Sequence, residues 1–176
     1  MQAAVSHLQA AKVAIIPTDT VYGIGALASD ARAVAQVLAA KGRGRQMPPP
    51  VLVSDICQLD GVVANIPTPA RALMEAYWPG ALTLILPAHP DLSWDLGETG
   101  GTVAVRQPNY PLTLQLLSQT GPLAVTSANL TARHRRHPGA HLLWSSDRLG
   151  RDLLARRRRH PWPGTLHYRF FRSPPA

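Results

Sequence analysis

Three groups of polar residues stand where a chain of this kind can put them to chemical use. Thr18, Thr20 and Tyr22 follow the apolar run "VAII", Thr102 and Arg106 belong to "TVAVR", and Thr126, Ser127 and Asn129 follow "PLAV". Polar residues just past the ends of buried strands tend to converge on a ligand crevice. A fourth group, Lys41, Arg43 and Arg45, occupies alternate positions. Alternate residues of an extended segment share a face, so three cations there would meet one polyanion. The chemistry this describes is the handling of phosphate.

Each group also has a plainer reading. Cations beyond a helix end complement the helix dipole and are often only solvated. Threonine and serine after a strand commonly make local turn hydrogen bonds. Asp19 is a candidate metal ligand, or equally a turn former. Arg106 is harder to dismiss, because a guanidinium inside an apolar strand calls for a carboxylate or phosphate partner. "GIGALA" at 23–28 matches the G-x-G-x-x-A dinucleotide fingerprint but lacks its context. It lies well past the strand end at Ile16, and Arg43 stands where an acid would be needed. No G-x-x-x-x-G-K-[ST] phosphate loop occurs.

The elements that must hold these residues alternate. An Ala-rich helix over 2–11 precedes the strand "VAII", which Pro17 stops. Asp30 caps a helix over "ARAVAQVLAAK" that Gly42 ends. "PVLV" is a strand, and Thr68 and Pro69 are placed to cap and start the helix "ARALMEAY", which Pro79 and Gly80 terminate. "ALTLILP", "TVAVR" and "PLAVTSA" are further strands, with a helix opened by Pro111 and closed by Gly121 before the last. The pattern predicts an α/β domain with a mixed sheet.

With 176 residues, 45% of them hydrophobic, the chain has enough apolar material for one domain with a core. No apolar run approaches the ~20 residues of a membrane span, and the N-terminus lacks a signal-peptide layout, so the expectation is a soluble, cytoplasmic protein with no membrane partner. The one cysteine, Cys57, excludes an internal disulfide and a cysteine-based zinc site. The formal charge of +8 is unevenly distributed. Up to Thr131, seven Lys/Arg face eight Asp/Glu; from Ala132 onward eleven Arg face two Asp, a net +9, with five of the seven histidines.

Five segments in succession, "PTDTVYGIG", "AKGRGR" with "VLVSD" after it, "YWPGALTLIL", "TVAVRQP" and "PLAVTSANLT", resemble the signatures of the YrdC-like threonylcarbamoyl-AMP synthases. The resemblance covers residues 10–131. It implies a YrdC-like twisted mixed sheet with flanking helices, and a nucleotidyltransferase that makes L-threonylcarbamoyladenylate and pyrophosphate from L-threonine, bicarbonate and ATP. A partner enzyme would then pass the threonylcarbamoyl group to adenosine 37 of tRNA. Carried over residue by residue, the resemblance puts Thr20, Arg106 and Ser127 on threonine, with Thr18 and Tyr22 shaping the same wall. It puts Lys41 and Arg43 on the ATP phosphates and Thr102 and Asn129 on the nucleotide. Lys41, Arg43 and Ser127 would assist the reaction. Magnesium is expected with the ATP, with no protein ligand assigned. Alignment and charge neutralisation suffice for such a step, so the lack of a Ser-His-Asp or Cys-His set is no obstacle.

Two departures stand out. Leu52 occupies a position where many members have a histidine that contacts threonine. After Thr131 the family's S-T-[VI]-V-D and R-x-G segments, which close over the substrates, are replaced by an Arg/His/Pro-rich sequence without apolar periodicity. Residues 1–131 are thus read as the catalytic domain, incomplete at its end. Residues 132–176 are read as an irregular or disordered tail that leaves a sheet edge uncovered and activity weak. GC-rich codons yield Arg, Pro, Ala and Gly in any frame, so a reading-frame shift near codon 132 is the preferred origin; a basic arm for RNA or a recombined end is the alternative. The contrasting function is a catalytically defective module that binds RNA through "RRRR" and its surroundings.

Overall fold

Asp30 begins the second helix as expected: its Oδ1 accepts the Ala33 N–H at 2.9 Å, and Gly42, at φ +60°, turns the chain away after the helix end. The computed structural model describes residues 1–129 and the backbone of His167–Arg169. In chain order the elements are α1 (Gln2–Gln9), β1 (Ala14–Ile16), β2 (Gly23–Leu27), α2 (Ala31–Ala40), β3 (Val51–Leu52), a 3₁₀ turn (Ile56–Leu59), α3 (Thr68–Tyr77), β4 (Thr83–Pro87), β5 (Thr102–Arg106), α4 (Pro111–Thr120), β6 (Leu123–Ser127) and β7 (His167–Arg169). Thr68 is the first helical residue of α3 and makes no side-chain cap, a correction to the capping role expected of it. Pro69 and Pro111 sit in first turns, where a missing N–H costs nothing.

The strands form one mixed sheet in the order β1-β2-β6-β3-β5-β4-β7. β2 was not foreseen as a strand. Its sequence GIGAL carries little β-propensity, yet it pairs antiparallel with β1 on one side and with β6 on the other. The glycines are needed by packing: a Cβ on Gly23 would lie 2.4 Å from Val125 Cγ1, and one on Gly25 would lie 2.6 Å from Val125 Cγ2. The apparent dinucleotide fingerprint is therefore a strand trimmed to let Val125 lie across it. β3 is antiparallel to β6 and parallel to β5, with Leu52 opposite both Leu123 and Arg106.

Directly opposed residues share a face. On one face α1 and α4 bury Ala14, Ile16, Leu52, Leu123 and Val125. On the other, α2 and α3 cover Ile24, Ala26, Val51, Leu84 and Val105. Arg106, directly opposite Leu52, shares the α1/α4 face. β7 runs parallel to β4, with His167 opposite Thr83 and Arg169 opposite Ile85. The outer edge of β4 is thus paired over Thr83–Ile85, where an uncovered edge was expected. Apart from β7, the predicted irregular tail lies outside the described residues.

Candidate active site

Pro17 ends β1 and the chain turns at once. Thr18 Oγ1 accepts the backbone N–H of Thr20 and of Val21, each at 3.2 Å, and donates to Val21 O at 2.6 Å. That is a threonine turn, so Thr18 fulfils the plainer reading made of it. With the Thr18 proton committed, the 3.1 Å contact between the two hydroxyls has Thr20 donating. The Thr113 hydroxyl of α4 holds the turn from below by donating to Pro17 O.

The turn presents Asp19 and Thr20 to Arg106, whose residue is only 6% exposed at the end of β5. Arg106 Nη1 donates to Thr20 Oγ1 at 3.1 Å, Nη2 to Asp19 Oδ1, and Nε to Gly80 O at 2.8 Å. Burial draws the guanidinium pKa downward, while the charge and hydrogen bond of Asp19 oppose that shift. The strand arginine therefore has an internal carboxylate partner, and Asp19 serves as its counterion. The "YWPG" turn contributes the Gly80 carbonyl and is itself fixed by Trp78 Nε1 donating to Leu82 O at 2.8 Å. Neither Asp19 nor Gly80 was linked to Arg106 by the sequence.

Across the cavity, Lys41 caps the C-terminus of α2 and is 2% exposed. Its Nζ donates to Asn129 O and lies 3.4 Å from Ser127 Oγ. Burial first, and then the neighbouring Arg43 charge, lower its pKa from 10.5 to about 8. Arg43 Nη1 donates to Thr126 Oγ1 at 2.9 Å. Lys41 is placed by the end of α2 itself, and Gly42 turns the chain between it and Arg43. The third cation does not join them, which corrects the expected convergence: Arg45 pairs with Asp95 through two hydrogen bonds of 2.8 and 2.9 Å, away from the cavity.

A cavity of about 240 Å³ joins the two halves, walled by Thr18, Thr20, Arg43, Leu52, Arg106 and Ser127 among others. Leu52 lines it with an apolar surface. Tyr22, expected to shape this wall, is not among the lining residues; its carbonyl accepts the Ala128 N–H at 2.8 Å. Asn129 reaches Lys41 through its backbone oxygen. Thr102 is not brought into the group. It shares a face with Arg106 but sits four strand residues away, about 13 Å, and its hydroxyl donates to Thr99 O at 2.8 Å. Among the described residues no cluster of three or more His, Cys, Asp or Glu could hold a metal ion. Nor, among them, is any helix long and apolar enough to cross a membrane.

Comparison with known proteins supplies relatives for this arrangement. The family described as Sua5_yciO_yrdC, telomere recombination, matches residues 6–139. A Mycobacterium tuberculosis protein named provisionally as a threonylcarbamoyl-AMP synthase is 50% identical over 128 residues, which cover 73% of this chain and 59% of that protein. The Bacillus subtilis threonylcarbamoyl-AMP synthase is 41% identical over 146 residues, covering 82% of this chain and 42% of its own length. The chain thus spans about three fifths of the length of the first of these curated relatives and about two fifths of the second. The crystal structure of P. abyssi Sua5 complexed with L-threonine superposes with a TM-score of 0.70 at 35% identity, over 73% of this chain and 38% of that one.

Proposed function

The chain belongs to the Sua5/YciO/YrdC family, and from that premise we propose that it is a threonylcarbamoyl-AMP synthase, joining L-threonine, bicarbonate and ATP into threonylcarbamoyladenylate with release of pyrophosphate. The observation that carries this reading is the meeting in one cavity of two unlike groups: Thr20 with Arg106, suited to an amino acid, and Arg43, Thr126 and Ser127, suited to a polyphosphate, with the buried Lys41 ammonium 3.4 Å from Ser127 Oγ. Relatives bearing that name, and a structural neighbour complexed with L-threonine, support it.

Arg106 receives the substrate carboxylate. Three of its five N–H groups are held by Gly80, Thr20 and Asp19, so each terminal nitrogen has one more to offer. Asp19 keeps the guanidinium aimed and neutralised until that carboxylate arrives. At about 240 Å³ the cavity is below the usual size for a larger ligand, so it takes the amino acid while the nucleotide lies along its open side. The threonine amine and bicarbonate form a carbamate with loss of water, and the carbamate oxygen attacks the α-phosphorus as pyrophosphate leaves. Lys41 and Arg43 take up the charge that develops on the leaving group. Magnesium would arrive with the triphosphate and offset part of its charge, while Asp19 is committed to Arg106. The product would serve a partner transferase that modifies adenosine 37 of tRNA in the cytoplasm.

Pyrophosphate release from ATP by the purified chain should require both threonine and bicarbonate. It should be slow beside that of intact relatives, since the two closing segments are not found after Thr131. Salt-sensitive RNA binding with no such release would instead favour the RNA-binding module.

A further inference from the structure

Arg45 stands two residues beyond Arg43 and does something other than face the cavity. Its guanidinium grips Asp95 at 2.8 and 2.9 Å. Its carbonyl accepts the Glu98 N–H at 2.7 Å. Asp95 Oδ1 also accepts the Gly97 N–H at 3.2 Å, which folds the 95–98 segment around the ion pair. Gly97 lies at φ +100°, and a Cβ there would sit 2.6 Å from Arg45 O. Three separate features, a bidentate ion pair, a backbone hydrogen bond and a close approach open only to glycine, therefore hold residue 45 against the β4–β5 connection.

The two segments so joined have different duties. One carries Lys41 and Arg43; the other leads into β5, which ends at Arg106. Beyond α2 the cation segment is a loop without helix or strand; Lys41 and Arg43 tie it to the end of β6, and Arg45 adds a second anchorage, on the connection that leads into β5. We propose that the Arg45–Asp95–Gly97 clasp is a positioning device that sets the phosphate-binding cations at a working distance from the amino-acid end of the site. This rests on the reading of Lys41 and Arg43 as the triphosphate contacts. Arg45, Asp95 and Gly97 touch neither substrate; they act through Arg43.

The test uses the full chain, calorimetric titration with ATP and separately with L-threonine, and thermal unfolding. Gly97→Ala breaks the close approach without altering charge, and Asp95→Asn breaks the ion pair without altering the backbone. Both should weaken ATP binding about five- to tenfold, the range that coupling through packed contacts commands, and change threonine affinity less than about twofold on the same basis. The exchanged pair Arg45→Asp with Asp95→Arg should recover most of the ATP affinity lost in Asp95→Asn. A merely structural clasp would lower the unfolding midpoint and weaken both ligands together, and that result overturns the proposal. Arg43→Ala is the control on the premise. If it leaves ATP affinity unchanged, the phosphate reading fails and this inference with it; if it weakens ATP while Gly97→Ala and Asp95→Asn do not, the clasp alone is refuted.

Discussion

Lys41 carries an ammonium into a place where only 2% of the residue meets solvent, and its acidity records the cost. With a pKa near 8 in the fold against 10.5 for the free side chain, the folded state loses this proton first. Between those pH values the unfolded chain holds more protons, so the Lys41 share of stability rises with pH from 8 to 10.5; below 8 the full penalty of the buried charge is present. Phosphate binding must run the other way, because only the protonated amine attracts a triphosphate. Raising the pH from 7 to 9.5 should weaken ATP binding about tenfold, the worth of a charged hydrogen bond, while Lys41→Met should show a flat profile in the same titration. Equal profiles for the two proteins would remove Lys41 from the phosphate site. Arg106 gives a second contrast. Arg106→Ala should abolish threonine binding and change ATP affinity far less. It should also destabilise the fold by about 3 kcal/mol in urea titration, because Asp19 is left desolvated and unpaired. Equal losses for both ligands would point instead to collapse of β5.

At the scale of elements, the strands that announced themselves were those with aliphatic side chains. "VAII", "TLILP", "TVAVR" and "LAVTS" are apolar, β-branched and bounded by proline or glycine, and each forms within a residue or two of its expected limits. β2 stayed hidden because the property that admits it is the lack of side chains, and that lack has meaning only once Val125 is known to lie across it. Sheet order was hidden for the same reason, since β6 enters between β2 and β3 through contacts that no local pattern encodes. In the candidate site, Thr20, Arg43, Arg106 and Ser127 were legible from residue type and motif and line one cavity, with Lys41 behind Ser127. Asp19, Gly80 and Thr126 were not legible as partners, because each acquires its role from a residue far off in the chain. Arg45 misled because alternation implies a shared face only in a regular strand, and its segment is a turn. The packing account of β2 can be checked directly. Gly25→Ala should lower stability by about 1–3 kcal/mol in urea titration, and part of that loss should disappear in a Val125→Ala background, the rest belonging to Ile16 Cδ1, 2.9 Å from the added Cβ. A full loss in both backgrounds would place the strain elsewhere.

For the whole molecule, the chain directions decide which ends of strands can share a site. β5 runs opposite to β1 and β6, so no single rim of the sheet gathers the polar residues. Arg106 reaches in from one direction, and Ser127 and Lys41 from another. The position of β6 has one more consequence, and it concerns the order of events during synthesis. β6 is hydrogen-bonded on both sides, to β2 and to β3, yet it is the last strand made before residue 130. Lys41 must wait for Ser127, 86 residues later, and Arg43 for Thr126, 83 residues later. Such long closures are slow and leave unpaired edges waiting. A nascent chain that has reached Gly121 should remain open to protease along β2 and β3, whereas one extended through Asn129 should become protected there in a single step. On the ribosome, the halves of the pocket are translated early but remain apart until this late strand is inserted between them.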